Sequence, residues 1–331
     1  MIRKNRFCPK CQVKYKSTDF DFCMYCGRKL IEDHNEYPSV DRRETLGRMK
    51  HRTRASWGWI PAILGYVASF ILLFLFQNLL SGMGSILIPS FMIIPVLGQT
   101  VLVASPELLV FITLGQFGLI IVPILYIKMK GLSVKELGFD FEDKKEVQKD
   151  IVVGVVGGSV MMGISVAVSL VTTYTLSALY SPIDIYLSDY FSTTNNASFM
   201  AIYLYQYILL VLSMFLVVAP CEEISTRGFL QQGLENSFGK WMGLIITAII
   251  FSALHIILYP QNASAIGFPS YIGSITAIIA IPSYLVLSLT LGILLQIRKY
   301  RIITTITTHA FYMAILVSIY YFLNYWIYFY F

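Results

Sequence analysis

The chain has 331 residues, of which 56% are hydrophobic and only 13% charged, with a formal net charge of +6. Soluble domains carry about 25% charged residues, so this composition excludes an ordinary soluble protein and predicts an all-α polytopic membrane protein. The positive charge is explained by membrane topology and by contact with anionic lipid headgroups.

Two Cys-x-x-Cys pairs lie near the N-terminus, Cys8 with Cys11 and Cys23 with Cys26. This spacing is typical of a zinc ribbon with four thiolate ligands, and short alternating stretches at 13–15 and 19–22 favour small strands between the pairs. Two disulfides are the alternative, which a reducing cytosol disfavours. We therefore predict a small N-terminal zinc ribbon over residues 1–31 whose zinc is structural rather than catalytic.

Residues 32–56 are polar and rich in charge, and they are interpreted as a basic linker that anchors next to the membrane. The basic stretch from Arg42 to Arg54 gives little support for a nucleic-acid surface, so no nucleic-acid partner is expected. Residues 57–331 are assigned to a transmembrane helical domain.

Seven uncharged runs are long enough to cross a bilayer, which takes roughly 20 residues each; they are 57–80, 108–127, 151–179, 201–219, 241–259, 272–297 and 302–330. Such spans are expected to be helices, because lipid cannot satisfy an open backbone. The run 86–104, interrupted by Pro89 and Pro95, is interpreted as re-entrant or interfacial. With seven crossings, the connections that carry Lys and Arg all fall on one side, which places the N-terminus and the zinc ribbon in the cytoplasm.

An acid pair, Glu222 and Glu223, stands at the end of the fourth run, shortly after Pro220, which marks a predicted helix break. Ionisable groups inside a membrane are costly and therefore indicate a functional site. From Glu222 the sequence predicts a helix, in which Glu223 and Arg227 are i,i+4 neighbours and form an ion pair. Glu222 points about 100° away from Glu223, which leaves one structural carboxylate and one available as a base.

Two of the four histidines, His255 and His309, also lie in apolar runs. Phe251 and His255 are spaced to share one helix face. His255 comes fourteen residues after Trp241 and His309 seven after Ile302, so a tilted or bent helix is needed to bring them to one depth. Taken singly, a membrane histidine or a Glu–Arg pair is as often a helix-packing element as a functional group.

A carboxylate with two imidazoles can activate water for attack on a peptide carbonyl, either directly or as ligands of a catalytic zinc. The same side chains serve both schemes, and the sequence leaves the catalytic metal undecided. Cys221, the one cysteine outside the ribbon, is a weaker candidate nucleophile because its apolar setting favours the unreactive thiol.

The motifs Glu222-Glu223-x-x-x-Arg227-Gly228, Phe251-x-x-x-His255 and His309 in the last run resemble, in this order, the CPBP family of intramembrane proteases. That family includes the type II CAAX prenyl endopeptidases and the Abi or bacteriocin-immunity proteins, and the resemblance covers about residues 105–325. It implies that Glu222 and His255 activate the attacking water and that His309 stabilises the oxyanion. It also implies a membrane-associated peptide or protein substrate.

Two positions depart from the pattern of the resembled family. Thr226 replaces an aromatic residue before the arginine, and Met313 replaces an Asn or Asp four residues after the last histidine. The second change removes one polar oxyanion donor. A catalytically inactive membrane scaffold or immunity-type protein, recruiting partners through the zinc ribbon, is therefore the alternative to an endopeptidase. A proton-coupled transporter is a weaker third reading, because no internal repeat is evident. The sequence does not fix the oligomeric state.

Overall fold

The computed structural model describes residues 6–8, 14–15, 30–32, 55–88, 91–96, 99–104, 106–179, 204–265 and 270–330. The chain divides into two compact units, Met1–Arg52 and Thr53–Phe331.

The first unit contains a small antiparallel sheet of three two-residue strands in the order β2-β1-β3. The strands are β1 (Arg6–Phe7), β2 (Lys14–Tyr15) and β3 (Ile31–Glu32). Strand β2 falls within the predicted stretch 13–15, whereas the predicted stretch 19–22 lies outside the described residues.

Of the four predicted zinc ligands, the structure describes Cys8, which follows β1 directly and is buried. Cys11, Cys23 and Cys26 lie outside the described residues. The zinc ribbon therefore stays a prediction.

The described part of the second unit is dominated by helices, whose bounds follow in chain order. They are α1 (Trp59–Leu87), α2 (Pro106–Thr113), α3 (Gly118–Met129), α4 (Lys144–Leu179), α5 (Leu204–Phe238), α6 (Lys240–Ala265), α7 (Ser270–Ile297) and α8 (Ile302–Tyr330). A 3₁₀ turn at Leu114–Phe117 joins α2 to α3, and a second at Val134–Leu137 lies between α3 and α4. In packing, α6 lies along α7 and α4 lies along α8.

A helix lies at each of the seven predicted runs, but the number of crossings is not confirmed. In the described residues, five helical segments are long and apolar enough to cross a membrane: Trp59–Gly84, Val110–Met129, Lys144–Thr172, Leu204–Phe238 and Ile302–Ile319. The described apolar stretches of the other two helices, Lys240–His255 and Ile281–Ile297, are shorter. The chain is therefore a helical membrane protein with at least these five candidate spans.

The described backbone of the run 86–104 is not a spanning helix, and its re-entrant or interfacial position stays a prediction. Its described backbone forms an antiparallel hairpin of β4 (Phe91–Val96) and β5 (Gln99–Ala104), with Phe91 opposite Ala104. An isolated two-stranded sheet has open edges that hydrocarbon cannot satisfy, so the hairpin does not count as a crossing.

Helix α5 does not break at Pro220, contrary to the prediction. The helix continues through the proline because two π-helical stretches, Met214–Val218 and Ile224–Gln231, flank the short α-helical turn Ala219–Glu223. Proline lacks the N–H that an uninterrupted α-helix would use, and the wider turns absorb this defect. Every residue from Cys221 to Glu235 except Glu222 is buried, so this part of α5 is the centre of the unit.

The charged connections gather at one end of the second unit, which we call the charged end. It comprises residues 55–58 before α1, the connection between α3 and α4, the α5–α6 corner, and the turn between α7 and α8. Examples of contacts there are Asn236 donating to the Trp57 carbonyl, Gln232 donating to the Glu136 carbonyl, and the Ile302 N–H donating to the Gly138 carbonyl. The buried carboxylate of Asp150 pairs with both Arg298 and Arg301 of that turn. The described connections that carry Lys and Arg in this unit therefore lie at one end of it, whereas the basic residues 33–54 lie outside the described residues and the orientation of the N-terminus stays a prediction.

Candidate active site

Glu223 and Arg227 form the predicted ion pair on α5. Arg227 Nε lies 3.5 Å from Glu223 Oε2, and both side chains are fully buried. The guanidinium is held further by Nη2, which donates to Ser288 Oγ at 3.1 Å, and by the Phe251 ring, whose centroid is 4.7 Å from Cζ. A buried arginine remains charged, so Glu223 is fixed as its counter-ion.

His309 links the two glutamates. Its Nδ1 lies 3.0 Å from Glu223 Oε1, and its Nε2 lies 3.9 Å from Glu222 Oε2. A carboxylate only accepts hydrogen bonds, so Nδ1 carries the proton and donates to Glu223. The other ring nitrogen therefore faces Glu222 at a distance that leaves the Glu222 carboxylate without a direct hydrogen bond to it.

Glu222 differs from its neighbour in exposure as well as in partners. Its side chain keeps 15% of its surface accessible, whereas that of Glu223 keeps none. The 100° step between successive helical residues explains the difference, since it turns Glu222 away from Arg227. One acid is thus locked and the other is accessible, as the sequence predicts.

His255 lies on the same side of the site as Phe251, the residue four positions before it. The two rings are 4.2 Å apart, and His255 also contacts Tyr284 of α7 at 4.5 Å between ring centroids. The Phe251 carbonyl accepts from His255 Nδ1 at 2.9 Å, which leaves Nε2 as the acceptor nitrogen of the neutral ring. The Phe251 ring also contacts the Arg227 guanidinium, so His255 is connected to the ion pair through one aromatic ring.

The three helices meet at one level because α5 extends sixteen residues beyond Glu222, to Phe238. Gly228 of α5 is packed against Ile302, the first residue of α8, so Glu223 and His309 face each other. Helix α6 starts just after the end of α5 and runs back along it. The stretch of α6 before His255 is longer than the stretch of α8 before His309, and this extra length brings His255 back to the level of Glu222. No bent segment after Pro220 is needed, and the site lies about 10 Å from the start of α8.

Three further residues around the site were not identified from the sequence. Tyr66 of α1 is buried and its hydroxyl lies 3.3 Å from Thr226 Oγ1, so the small side chain at position 226 makes room for a phenol from another helix. Ser288 holds Arg227, as described above. Glu235, also on α5, is buried among polar side chains. These groups lie in apolar or unremarkable stretches, and contacts across helices are not visible in a single sequence.

Cys221 is buried and packs in an apolar cluster with Leu73, Leu119 and Val217. This matches the environment expected for an unreactive thiol. Met313, four residues after His309, is half-buried on α8.

The described residues contain no group of three or more His, Cys, Asp and Glu side chains arranged to hold a metal ion. One nitrogen of each histidine, Nδ1, is hydrogen-bonded within the protein, and Nε2 of each ring remains. A metal-ligating histidine usually has its second nitrogen hydrogen-bonded in this way, so these bonds fit both a metal-free site and a metal site.

Comparison with known families finds a match within the C-terminal half of the chain. Residues 204–315, which are 112 of the 331, match the family model "Type II CAAX prenyl endopeptidase Rce1-like". The match contains Glu222, Glu223, Arg227, His255 and His309, and it confirms the family resemblance within those residues. No curated protein and no solved structure matches the chain.

Proposed function

We propose that this protein is an intramembrane endopeptidase that hydrolyses a peptide bond near the cytoplasmic membrane face with a water molecule activated by Glu222 and His255. The observation that supports this best is the division within the acid pair. The Glu223 carboxylate is paired with both Arg227 and His309, whereas Glu222 is partly exposed beside the same histidine. A packing element would need no second, partly exposed acid at this costly depth.

In the proposed reaction, Glu222 and the free Nε2 of His255 orient a water molecule by accepting its hydrogen bonds. The water oxygen attacks the carbonyl carbon while one of its protons passes to the Glu222 carboxylate. When the C–N bond breaks, the same proton passes from Glu222 to the leaving amine. Each proton is therefore accounted for by groups of this chain.

In this scheme His309 stabilises the negative charge that develops on the carbonyl oxygen. Because Nδ1 donates to Glu223, Nε2 is the nitrogen that faces the reaction, and the doubly protonated ring donates Nε2–H to the oxyanion. Glu223, held in turn by Arg227, fixes the orientation of that ring, much as a carboxylate orients the histidine in other hydrolases.

The proposed substrate is a peptide or protein segment presented at the membrane, with lipids as the surrounding partner. This is supported by the match to the CAAX prenyl endopeptidase model and by a site about 10 Å below the charged end of the helices. The excess of Lys and Arg at that end supports a cytoplasmic N-terminus.

The test is hydrolysis of membrane-anchored peptides by purified protein in liposomes. Glu222→Gln keeps the size of the side chain but cannot take a proton, and we expect a loss of about 100-fold or more in kcat. His255→Gln should act in the same direction. Both variants should remain folded, because Glu222 is partly exposed and lies 3.9 Å from His309 Nε2, a distance too long for a direct hydrogen bond. Hydrolysis at the wild-type rate in both variants contradicts the proposal.

The alternative, an inactive membrane scaffold, is favoured by one observation, which is the apolar Met313 on the helix of His309. Met313→Asn separates the two functions. If the protein is an enzyme, the wild type hydrolyses substrate and the variant changes only the rate. A wild type that does not cleave any peptide, with activity appearing only in the variant, favours the scaffold.

We also propose that the N-terminal cysteines bind one structural zinc ion, by the spacing argument given above. Metal analysis of the full-length protein and of a variant lacking residues 1–40 tests this directly. One zinc lost on truncation supports the ribbon, and a second ion that persists in the truncated protein supports a catalytic metal instead of the metal-free scheme.

A further inference from the structure

Helices α5 and α7 are joined by a ladder of polar contacts that we call the α5–α7 seam. In it, Arg227 Nη2 donates to Ser288 Oγ at 3.1 Å, Gln231 Nε2 donates to the Gly292 carbonyl at 3.3 Å, and Gln296 Nε2 donates to Glu235 Oε1 at 2.7 Å. Each contact joins residues 61 apart, and each step advances by four on both helices. A constant offset means that the two helices run parallel and in register through this stretch.

The seam continues the ion pair of the site along one face of α5. Glu223, Arg227, Gln231 and Glu235 follow one another at intervals of four residues. Gln231 Nε2 also donates to Glu235 Oε1 at 2.7 Å, so Gln231 is linked to Glu235 along α5 as well as to Gly292 on α7.

Glu235 is the fixed end of this stripe. Its carboxylate accepts from Gln231, from Gln296 and, at 2.6 Å, from the hydroxyl of Tyr300. Burial and the neighbouring Glu235 carboxylate raise the pKa of Tyr300 far above its ordinary value, which keeps its hydroxyl protonated as a donor. The end of the seam away from the site is thus tied to the turn between α7 and α8.

The middle of the seam is closely packed. A Cβ atom at Gly292 would lie 2.8 Å from Gln231 Oε1, so this position has no room for even a methyl group without displacing the amide. Close contact of this kind transmits a displacement instead of absorbing it.

The seam contains a donor and an acceptor whose hydrogen-bonding capacity is not satisfied by any described residue. Arg227 Nη1, a donor, and Gln231 Oε1, an acceptor, are both buried and have no hydrogen-bond partner within the described part of the chain. Buried polar atoms are normally satisfied. Arg227 and Gln231 are one turn apart on the same face of α5, and a water molecule between these complementary atoms would satisfy both.

From this geometry we propose that Gln231 and Glu235 are positioning residues of the site. They hold the guanidinium of Arg227 through the seam, and Arg227 in turn holds Glu223 and its hydrogen bond to His309. The effect on catalysis rests on the proposed function, whereas the effect on the geometry of His309 does not.

The test compares two identical substitutions on the same helix. Gln231→Leu removes the central contact of the seam. Gln206→Leu is the matched control, because Gln206 is also buried on α5 and also donates to a glutamate, Glu107, at 2.8 Å. Glu235→Gln, which preserves size, is a second test variant in case Gln231→Leu does not fold.

Two readouts are measured on the full chain in liposomes or micelles. The first is kcat and KM for a membrane-anchored peptide. The second is the ¹⁵N chemical shifts of the His309 ring, assigned with a His309→Gln variant, which report on the Glu223–His309 bond without any need for activity. We expect the seam variants to lower kcat about 10- to 100-fold with KM unchanged, as a small misplacement of a catalytic group does. We also expect them to shift the His309 signals, and the control to do neither.

Each outcome has one reading. Unchanged His309 signals in both seam variants overturn the proposal, as do equal shifts in the seam variants and in Gln206→Leu. If Glu222→Gln keeps full activity, the proposed function fails. The His309 signals then still decide, on their own, whether the seam positions the ion pair.

Discussion

Glu223→Gln should destabilise the protein far more than Glu222→Gln, although the two residues are neighbours. The substituted amide can still accept from His309 Nδ1, so the principal loss is the charge that pairs with the fully buried Arg227. Breaking a buried ion pair by removing one partner costs about 3–5 kcal/mol. The contacts of the guanidinium with Ser288 and Phe251 remain, so we expect about 3 kcal/mol.

The assay is reversible unfolding in mixed micelles, with the free energy of unfolding compared among four proteins in a double-mutant cycle. The second single variant is Arg227→Met and the fourth protein carries both changes. Because the double variant no longer buries an unpaired cation, its destabilisation should fall short of the sum of the single effects by about 1–3 kcal/mol. Additivity within about 0.5 kcal/mol would refute the ion pair as a stabilising element.

Three other variants test the frame that supports the site. Gly158→Val places a Cβ 2.8 Å from the Thr308 carbonyl oxygen, where α4 meets α8. The overpacking should lower the free energy of unfolding by about 1–3 kcal/mol and should also lower the rate of hydrolysis. Unchanged stability would contradict this packing. Lys299→Gly should raise the free energy of unfolding by about 1 kcal/mol, because Lys299 has a left-handed φ of 54° that glycine adopts without strain. A loss of stability would show that contacts of the lysine side chain stabilise the protein by more than the backbone strain destabilises it. Asp150→Asn should lower the free energy of unfolding by about 3 kcal/mol, since it leaves the largely buried Arg301 with Asp140 as its remaining acidic partner. Unchanged stability would show that solvent already screens the charges of this cluster.

The parts of the site that sequence reasoning predicts are the local ones. The Glu223–Arg227 pair and the shared face of Phe251 and His255 both follow from i,i+4 spacing, which one helix decides by itself. The separate orientation of Glu222 follows from the same periodicity. Residues in these short motifs also carry the family resemblance that the match over residues 204–315 confirms.

The parts that it misses depend on where helices end and how they are aligned. The sequence predicts a helix from Glu222 after a break at Pro220, but it gives no sign that α5 runs unbroken to Phe238, because a buried polar stripe sustains the helix beyond the apolar run that stops near residue 219. The level of His255 relative to His309 depends on that length. The seam is invisible for a similar reason, because an offset of 61 residues between two helices is fixed by packing in three dimensions.

The charges of the site also explain why a second glutamate is useful in a low-dielectric region. Under the proposed mechanism, Glu222, Glu223, Arg227 and a doubly protonated His309 sum to zero before the attack. When Glu222 takes the proton from water, it becomes neutral and one negative charge appears on the oxyanion, so the sum remains zero. Charge moves within the site but none is created, which avoids the solvation cost that a net charge would carry in hydrocarbon. Removing Glu223 would leave a net positive site at the start, and the oxyanion would then form among groups whose positions Arg227 no longer fixes.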